Sequence, residues 1–261
     1  MSMRDYASHP NSHLRKIAMT LIIFDKDGVL LDLPKTWLPV ARDITYLLSE
    51  LTEHRYSAQL FQEIIGIEEH SETIDPDGLF ASGSFLDQQA ACIAKAPELK
   101  AHFDDPSYRE KVMAIVQRNH QRGAVPLGDV QTALSALRDQ GYRCAILTND
   151  SEASAKRSST ELGILSHFDE ILGFDSGYGG KPAPEGYLEI CRRCDYAPEE
   201  TIMVGDTSAD LGVATAAGAG LFIGISARYP APTKALETAS HLLPNIEGLP
   251  DYLAQTVARS A

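Results

Sequence analysis

Two hydrophobic periods alternate along this chain. Short apolar runs bounded by turn residues recur at Leu21–Asp25, Cys144–Thr148, Glu170–Gly173, Thr201–Val204 and Leu221–Ile225. Runs of that length, ending abruptly in polar residues, predict strands buried on both faces. Between them apolar residues return every three or four positions. Val130, Leu134 and Leu137 mark a helix over Val130–Gln140, with Gly141 behind it. Ala153–Leu162 is followed by Gly163 and Asp210–Ala217 by Gly218, while Glu185–Cys194 opens after Pro182 and Pro184. A glycine just past the last turn is the expected stop, because it takes the left-handed backbone a helix end needs. Strands alternating with helices predict an α/β fold, a Rossmann-like parallel sheet with helices on both faces. Right-handed crossovers then bring the loop after every strand to one edge of that sheet.

One stretch breaks the alternation. Thr36–Leu51 places Trp37, Val40, Ile44, Leu47, Leu48 and Leu51 on one helical face, and Gln59–Ile65, Phe85–Lys95 and Ser107–Gln121 read the same way. This is too long for a single crossover. The expectation is an inserted helical cap domain over residues 34–123, hinged near Leu33-Pro34 and Gly123–Pro126, on a catalytic core of 17–33 and 124–261. Residues 1–16 are polar and read as a disordered leader without a signal core. Thr233–Ala261 reads as a partial strand and one or two closing helices.

Composition narrows the partners. Hydrophobic residues make up 44% and charged residues 23% of the 261, an ordinary globular balance. A net charge of -13 argues against nucleic acid or an anionic membrane as the main partner. No apolar run approaches the roughly 20 residues of a bilayer span. Four cysteines are too few for a disulfide scaffold, which points to a reducing cytoplasm. Cys191 and Cys194 have metal spacing but no second pair, and they share a helical pattern with Tyr187, Leu188 and Ile190; packing is the expected role. His54, His70, His102, His120 and His167 show no ligand spacing with one another.

Chemistry gathers at four loops. Asp25-Lys26-Asp27-Gly28 closes the first strand with two carboxylates one residue apart. Alternate residues of an extended chain point one way, and carboxylates so close call for a cation or a shared proton. A second strand ends in Thr148-Asn149-Asp150, Gly179-Gly180-Lys181-Pro182 delivers a lysine to a helix start, and Val204-Gly205 leads into Asp206 and Asp210. Each has a structural alternative: an acidic turn, a cap, a solvated lysine, a helix acid. Sharing one sheet edge favours a joint site. Several carboxylates with few histidines suit a hard cation such as Mg²⁺. A lysine, a threonine hydroxyl and backbone N–H groups suit a phosphoryl group. One carboxylate can then attack phosphorus, while a second protonates the leaving oxygen and later deprotonates water.

On these four motifs the chain resembles the haloacid dehalogenase superfamily, in its phosphoglycolate phosphatase-like branch, from Leu21 to Ile225. The resemblance implies a Mg²⁺-dependent phosphatase of a small phosphomonoester, phosphoglycolate or a similar compact metabolite, working through an aspartyl-phosphate. It makes Asp25 nucleophile and metal ligand, and Asp27 general acid and base with its backbone carbonyl on the metal. Thr148 and Asn149 hold the phosphoryl group, Lys26 contributes its backbone N–H rather than a catalytic cation, and Lys181 balances charge. Asp206 ligates Mg²⁺ directly, and Asp210 orients it or acts through water. The insert becomes a helical lid, and Pro76–Ser84, with two glycines and small hydroxyls between helices, its specificity loop. The assembly is expected to be a monomer or homodimer. A dehalogenase usually lacks the second acid, and a phosphonate-cleaving relative departs at that position and puts a Schiff-base lysine in the cap, where Lys35 and Lys95 stand; Asp27 speaks against both. A sugar-phosphate mutase would keep every core residue seen here. A non-catalytic phosphometabolite-binding protein normally loses a nucleophile, acid or lysine that this chain retains.

Overall fold

The computed structural model describes residues 21–68, 74–120, 123–226 and 233–259. The leader expected at 1–16 lies outside the described residues, as do His70 and Gln121. Six parallel strands form one sheet: β1 (Leu21–Phe24), β2 (Arg143–Leu147), β3 (Glu170–Leu172), β4 (Thr201–Gly205), β5 (Leu221–Ile225) and β6 (His241–Leu243), in the order β3-β2-β1-β4-β5-β6. The chain winds outward from β1 in both directions. That reversal opens a crevice beyond the carboxyl ends of the strands, where sheets of this kind bind ligands. Register fixes what meets there. Phe24 pairs with Ile146 on one side and Val204 on the other, so Asp25, Thr148 and Asp206 leave the sheet within two residues of paired positions.

Side chains of β1 alternate between two apolar layers, as the strand period requires. Ile22 and Phe24 pack with Leu134 and Leu137, and with Leu249 and Leu253. Leu21 and Ile23 pack on the opposite face with Tyr187, Ile190 and Val213. Cys191 and Cys194 sit in that second layer as buried thiols.

Among the described residues, six helices intervene between β1 and β2 before the crossover helix: α1 (Leu33–Leu51), α2 (Ala58–Ile65), α3 (Leu79–Ser82), α4 (Phe85–Lys95), α5 (Leu99–Phe103) and α6 (Pro106–His120). They bury a cluster of their own, including Leu38, Leu48, Phe61, Ile65, Leu99 and Tyr108. The crossover helix α7 (Val130–Asp139) and α8 (Glu152–Glu161), α9 (Glu185–Cys194), α10 (Ser208–Ala217), α11 (Lys234–Glu237) and α12 (Leu249–Arg259) complete the chain. Among the described residues no helix is long and apolar enough to cross a membrane.

Three local readings change. Helix α1 starts at Leu33, three residues earlier than the pattern suggested, because the Asp32 carboxylate accepts the Lys35 N–H and Pro34 sits where no N–H is needed. Leu33-Pro34 is therefore the first turn of a helix. The two passages of chain lie just before it, side by side: Asp32 N–H donates to Val125 at 2.9 Å and Leu127 N–H to Leu30 at 3.0 Å. The short helices α3 and α5 were not expected, since four or five residues are too few to display a helical period.

Candidate active site

The end of β1 places a carboxylate in a buried crevice. Asp25 is 4% exposed, and its N–H donates to Val204 at 2.9 Å, continuing the ladder by one residue. Lys181 reaches the same place, with its Nζ 2.7 Å from Asp25 Oδ1 and 2.6 Å from Asp210 Oδ1. One oxygen each from Asp25, Asp206 and Asp210 lies within 4.8 Å of the others. Burial pushes the Asp25 carboxyl up to about 8; Asp210 and Asp206 add to that rise and Lys181 opposes it. Burial likewise opposes charge on Lys181, but Asp210 and Asp25 outweigh it and hold the ammonium above its ordinary value.

Three acids against one ammonium leave an excess of negative charge in a desolvated site. An oxygen-only donor set of this kind fits a hard divalent cation. Gly28 makes the set possible. Its backbone has φ +90°, and a Cβ there would collide with the Asp206 carboxylate. Asp210 also shapes its own helix: its Oδ2 accepts the N–H groups of Asp206 at 3.1 Å and Thr207 at 3.0 Å and the Thr207 hydroxyl at 2.8 Å. Asp210 thus caps its helix through one oxygen and meets Lys181 through the other.

Asp27 stands apart from that triad. The indole Nε1 of Trp37, on α1, donates to Asp27 Oδ1 at 2.7 Å. Lys26 Nζ lies 2.6 Å from Asp27 Oδ2 and 2.9 Å from Asp150 Oδ2, and 5.1 Å from the centre of the Trp37 ring. Both lysine contacts are buried ion pairs. Burial disfavours charge on Lys26, yet Asp150 and Asp27 raise it overall. Burial disfavours charge on Asp150 too, and Lys26 together with hydrogen bonds from Ser154 and Ser151 pulls it below the usual carboxylate range. The Lys26 side chain is therefore a buried counter-ion between two acids.

Thr148 is 2% exposed; its N–H donates to Leu172 at 3.0 Å and its hydroxyl oxygen accepts the Asp150 N–H at 3.1 Å. The Asn149 side-chain amide is engaged within the protein. Its Oδ1 accepts the Lys181 N–H at 2.7 Å, and its Nδ2 donates to the carbonyls of Lys181 at 3.0 Å and Ser82 at 2.7 Å. The amide is spent tying the lysine loop to the core and to the Pro76–Ser84 segment. That segment, expected to be a loop, carries α3 and meets the core through Ser82.

A cavity of about 650 Å³ joins these groups, lined by Asp25, Asp27, Thr148 and Lys181 below and by Trp37 and Phe80 above. Sequence reasoning missed Trp37 and Asp150. Trp37 had been counted on the apolar face of its helix, and nothing in a periodic pattern says which way an indole N–H points. Asp150 did leave a signal, as the acid that ends the Thr148-Asn149 motif.

The family model described as haloacid dehalogenase-like hydrolase matches residues 19–218. A phosphoglycolate phosphatase of Nitrosospira multiformis is 30% identical over 206 residues, covering 77% of this chain and 81% of its own length. One of Aquifex aeolicus is 26% identical over 206 residues, covering 77% and 82%. Among solved structures, a protein of Thermotoga maritima provisionally described as a beta-phosphoglucomutase superposes with a TM-score of 0.65 at 22% identity, covering 90% of this chain and 99% of its own. That last likeness speaks for the fold alone.

Proposed function

Since this chain belongs to the haloacid dehalogenase-like hydrolases, in their phosphoglycolate phosphatase-like branch, and is a phosphoric monoester hydrolase, we propose that it is a Mg²⁺-dependent phosphatase of a small phosphomonoester that works through an aspartyl-phosphate on Asp25. The observation that carries this reading is the buried cluster in which one Lys181 ammonium touches both Asp25 and Asp210, with Asp206 seated against Gly28.

The Asp25 carboxylate attacks phosphorus, the ester P–O bond breaks, and its electron pair leaves on the alcohol oxygen. Asp27 gives that oxygen a proton, held in place for the transfer by the Trp37 N–H. Asp27 then takes a proton from water, which attacks the same phosphorus. The bond to Asp25 breaks and inorganic phosphate is released. Thr148 and the backbone N–H groups of Asn149 and Lys26 hold the phosphoryl oxygens, and Lys181 opposes the rise that burial imposes on the Asp25 carboxyl. Asp25, Asp206, Asp210 and the Asp27 carbonyl would hold Mg²⁺, which would supply charge neutralisation at the phosphoryl group. The helices over the cleft act as a lid that excludes water during the first transfer.

Phosphate release from a panel of small phosphate esters, phosphoglycolate among them, tests this, with Asp25→Asn as the blank. Release that needs both Mg²⁺ and Asp25 is expected. Folded protein that releases phosphate from no ester would overturn it, and transfer of the group to a second site on the substrate without net release would mark a mutase.

A further inference from the structure

The cavity above Asp25 has two unlike halves. Its lower part is the charged floor already described. Its upper part runs between the cap helices, where Val40, Ile44, Phe80, Phe103, Val112 and Val116 supply hydrocarbon. Thr45 and Gln88, two polar groups of that upper part, are already partnered within the cap helices. The Thr45 hydroxyl donates to Arg42 at 2.9 Å and accepts from Gln62 at 3.2 Å, and Gln88 Nε2 donates to Leu79 at 3.2 Å. Arg109 is exposed.

Size points the same way. At the ~30 Å³ a water molecule occupies in the liquid for each non-hydrogen atom, a two-carbon phosphoester such as phosphoglycolate takes roughly 270 Å³. That is less than half of the 650 Å³ available. Hydroxyl groups of a sugar placed in the remainder would lie against hydrocarbon, with their hydrogen bonds to water lost and none regained.

Resting on the phosphatase reading, we infer that the preferred substrate is the phosphate ester of an apolar alcohol, whose hydrocarbon part occupies the cap cavity while its phosphoryl group sits on Asp25. Binding energy from that hydrocarbon, remote from phosphorus, orients the ester for attack. The cap apolar surface, which water otherwise wets, is covered only when such a group is in place. Arg157 sets the competing possibility. It lines the same cavity, its Nη2 donates to Ser154 at 3.2 Å, and its Nε is buried without a hydrogen bond. A small dianionic ester held by that guanidinium is the alternative.

The test is kcat/KM with Mg²⁺ for phosphoglycolate and for n-alkyl phosphates from methyl to octyl. The expected result is a rise of about 3-fold to 4-fold per added methylene until the cavity is full, with the longer alkyl esters above phosphoglycolate. Ile44→Gln, at a half-buried cavity position, should lower kcat/KM for the octyl ester roughly tenfold more than for the methyl ester. Val116→Trp should shorten the chain length at which the rise stops. A flat series, or phosphoglycolate as the best substrate, would overturn the inference and leave the phosphatase reading standing. Release from none of the esters would overturn both.

Discussion

The floor and the roof of the cleft are built on opposite principles. On the floor the acids and lysines meet in mutual contact: Lys181 is shared by Asp25 and Asp210, and Lys26 by Asp27 and Asp150. On the roof Thr45 and Gln88 bond within the cap, and hydrocarbon supplies much of the cavity wall. A partnered buried charge is costly to disturb, because removing one member strands the other. An apolar wall is tolerant, since volume-conserving hydrophobic swaps in such surroundings are mild. The floor can therefore hold one reaction constant while the roof is free to vary what enters. Trp37 is where the two meet, a cap residue hydrogen-bonded to the acid Asp27.

Breaking the floor should have the largest effects. Asp25→Asn is expected to lower kcat by at least ~10³-fold, read as phosphate release under saturating ester. Lys181→Met should cost roughly 10²-fold to 10³-fold in kcat, since it removes both the charge at phosphorus and the partner of two buried acids. Trp37→Phe sharpens the contrast between floor and roof. It keeps the ring but removes one hydrogen bond to the acid, so kcat should fall by about tenfold with a displaced pH profile and little change in KM. A merely structural tryptophan would leave the pH profile where it was.

The pH dependence of stability gives a smaller effect. With burial raising Asp25 to about 8 in the folded protein, the native state holds a proton that the unfolded chain releases near its ordinary value of 3.8. Stability from this group is then full below that ordinary value and is lost as pH rises toward 8. The metal-free protein should melt several degrees lower at pH 8 than at pH 5.5, at ~2–4 °C per kcal/mol. Added Mg²⁺, competing with the proton, should restore more of the melting temperature at pH 8 than at pH 5.5, and Asp25→Asn should remove most of the pH dependence. Calorimetric scans of the two proteins at both pH values, with and without Mg²⁺, would decide it.

The floor was legible in the sequence because its residues sit at strand ends or in the loops that follow them. A parallel sheet sends every such end to one edge, so order along the chain was enough to bring Asp25, Thr148, Lys181 and Asp206 together. The direction of individual side chains was not legible. Asn149 clasps the Lys181 backbone, and the Trp37 indole leaves its apolar face to reach Asp27; both depend on loop geometry that no periodicity encodes. The roof was legible only as helices. Its hydrophobic pattern announced a buried face without saying whether helices alone fill it or a cavity remains.

The most direct test is to quench the enzyme in acid during turnover of a phosphate ester with a good leaving group and to map the peptides by mass. One phosphoryl group on the peptide that contains Asp25, absent from the Asp25→Asn protein and dependent on Mg²⁺, is the expected result. Undiminished phosphate release by Asp25→Asn, with no phosphoryl group on that peptide in either protein, would contradict covalent catalysis at the end of β1.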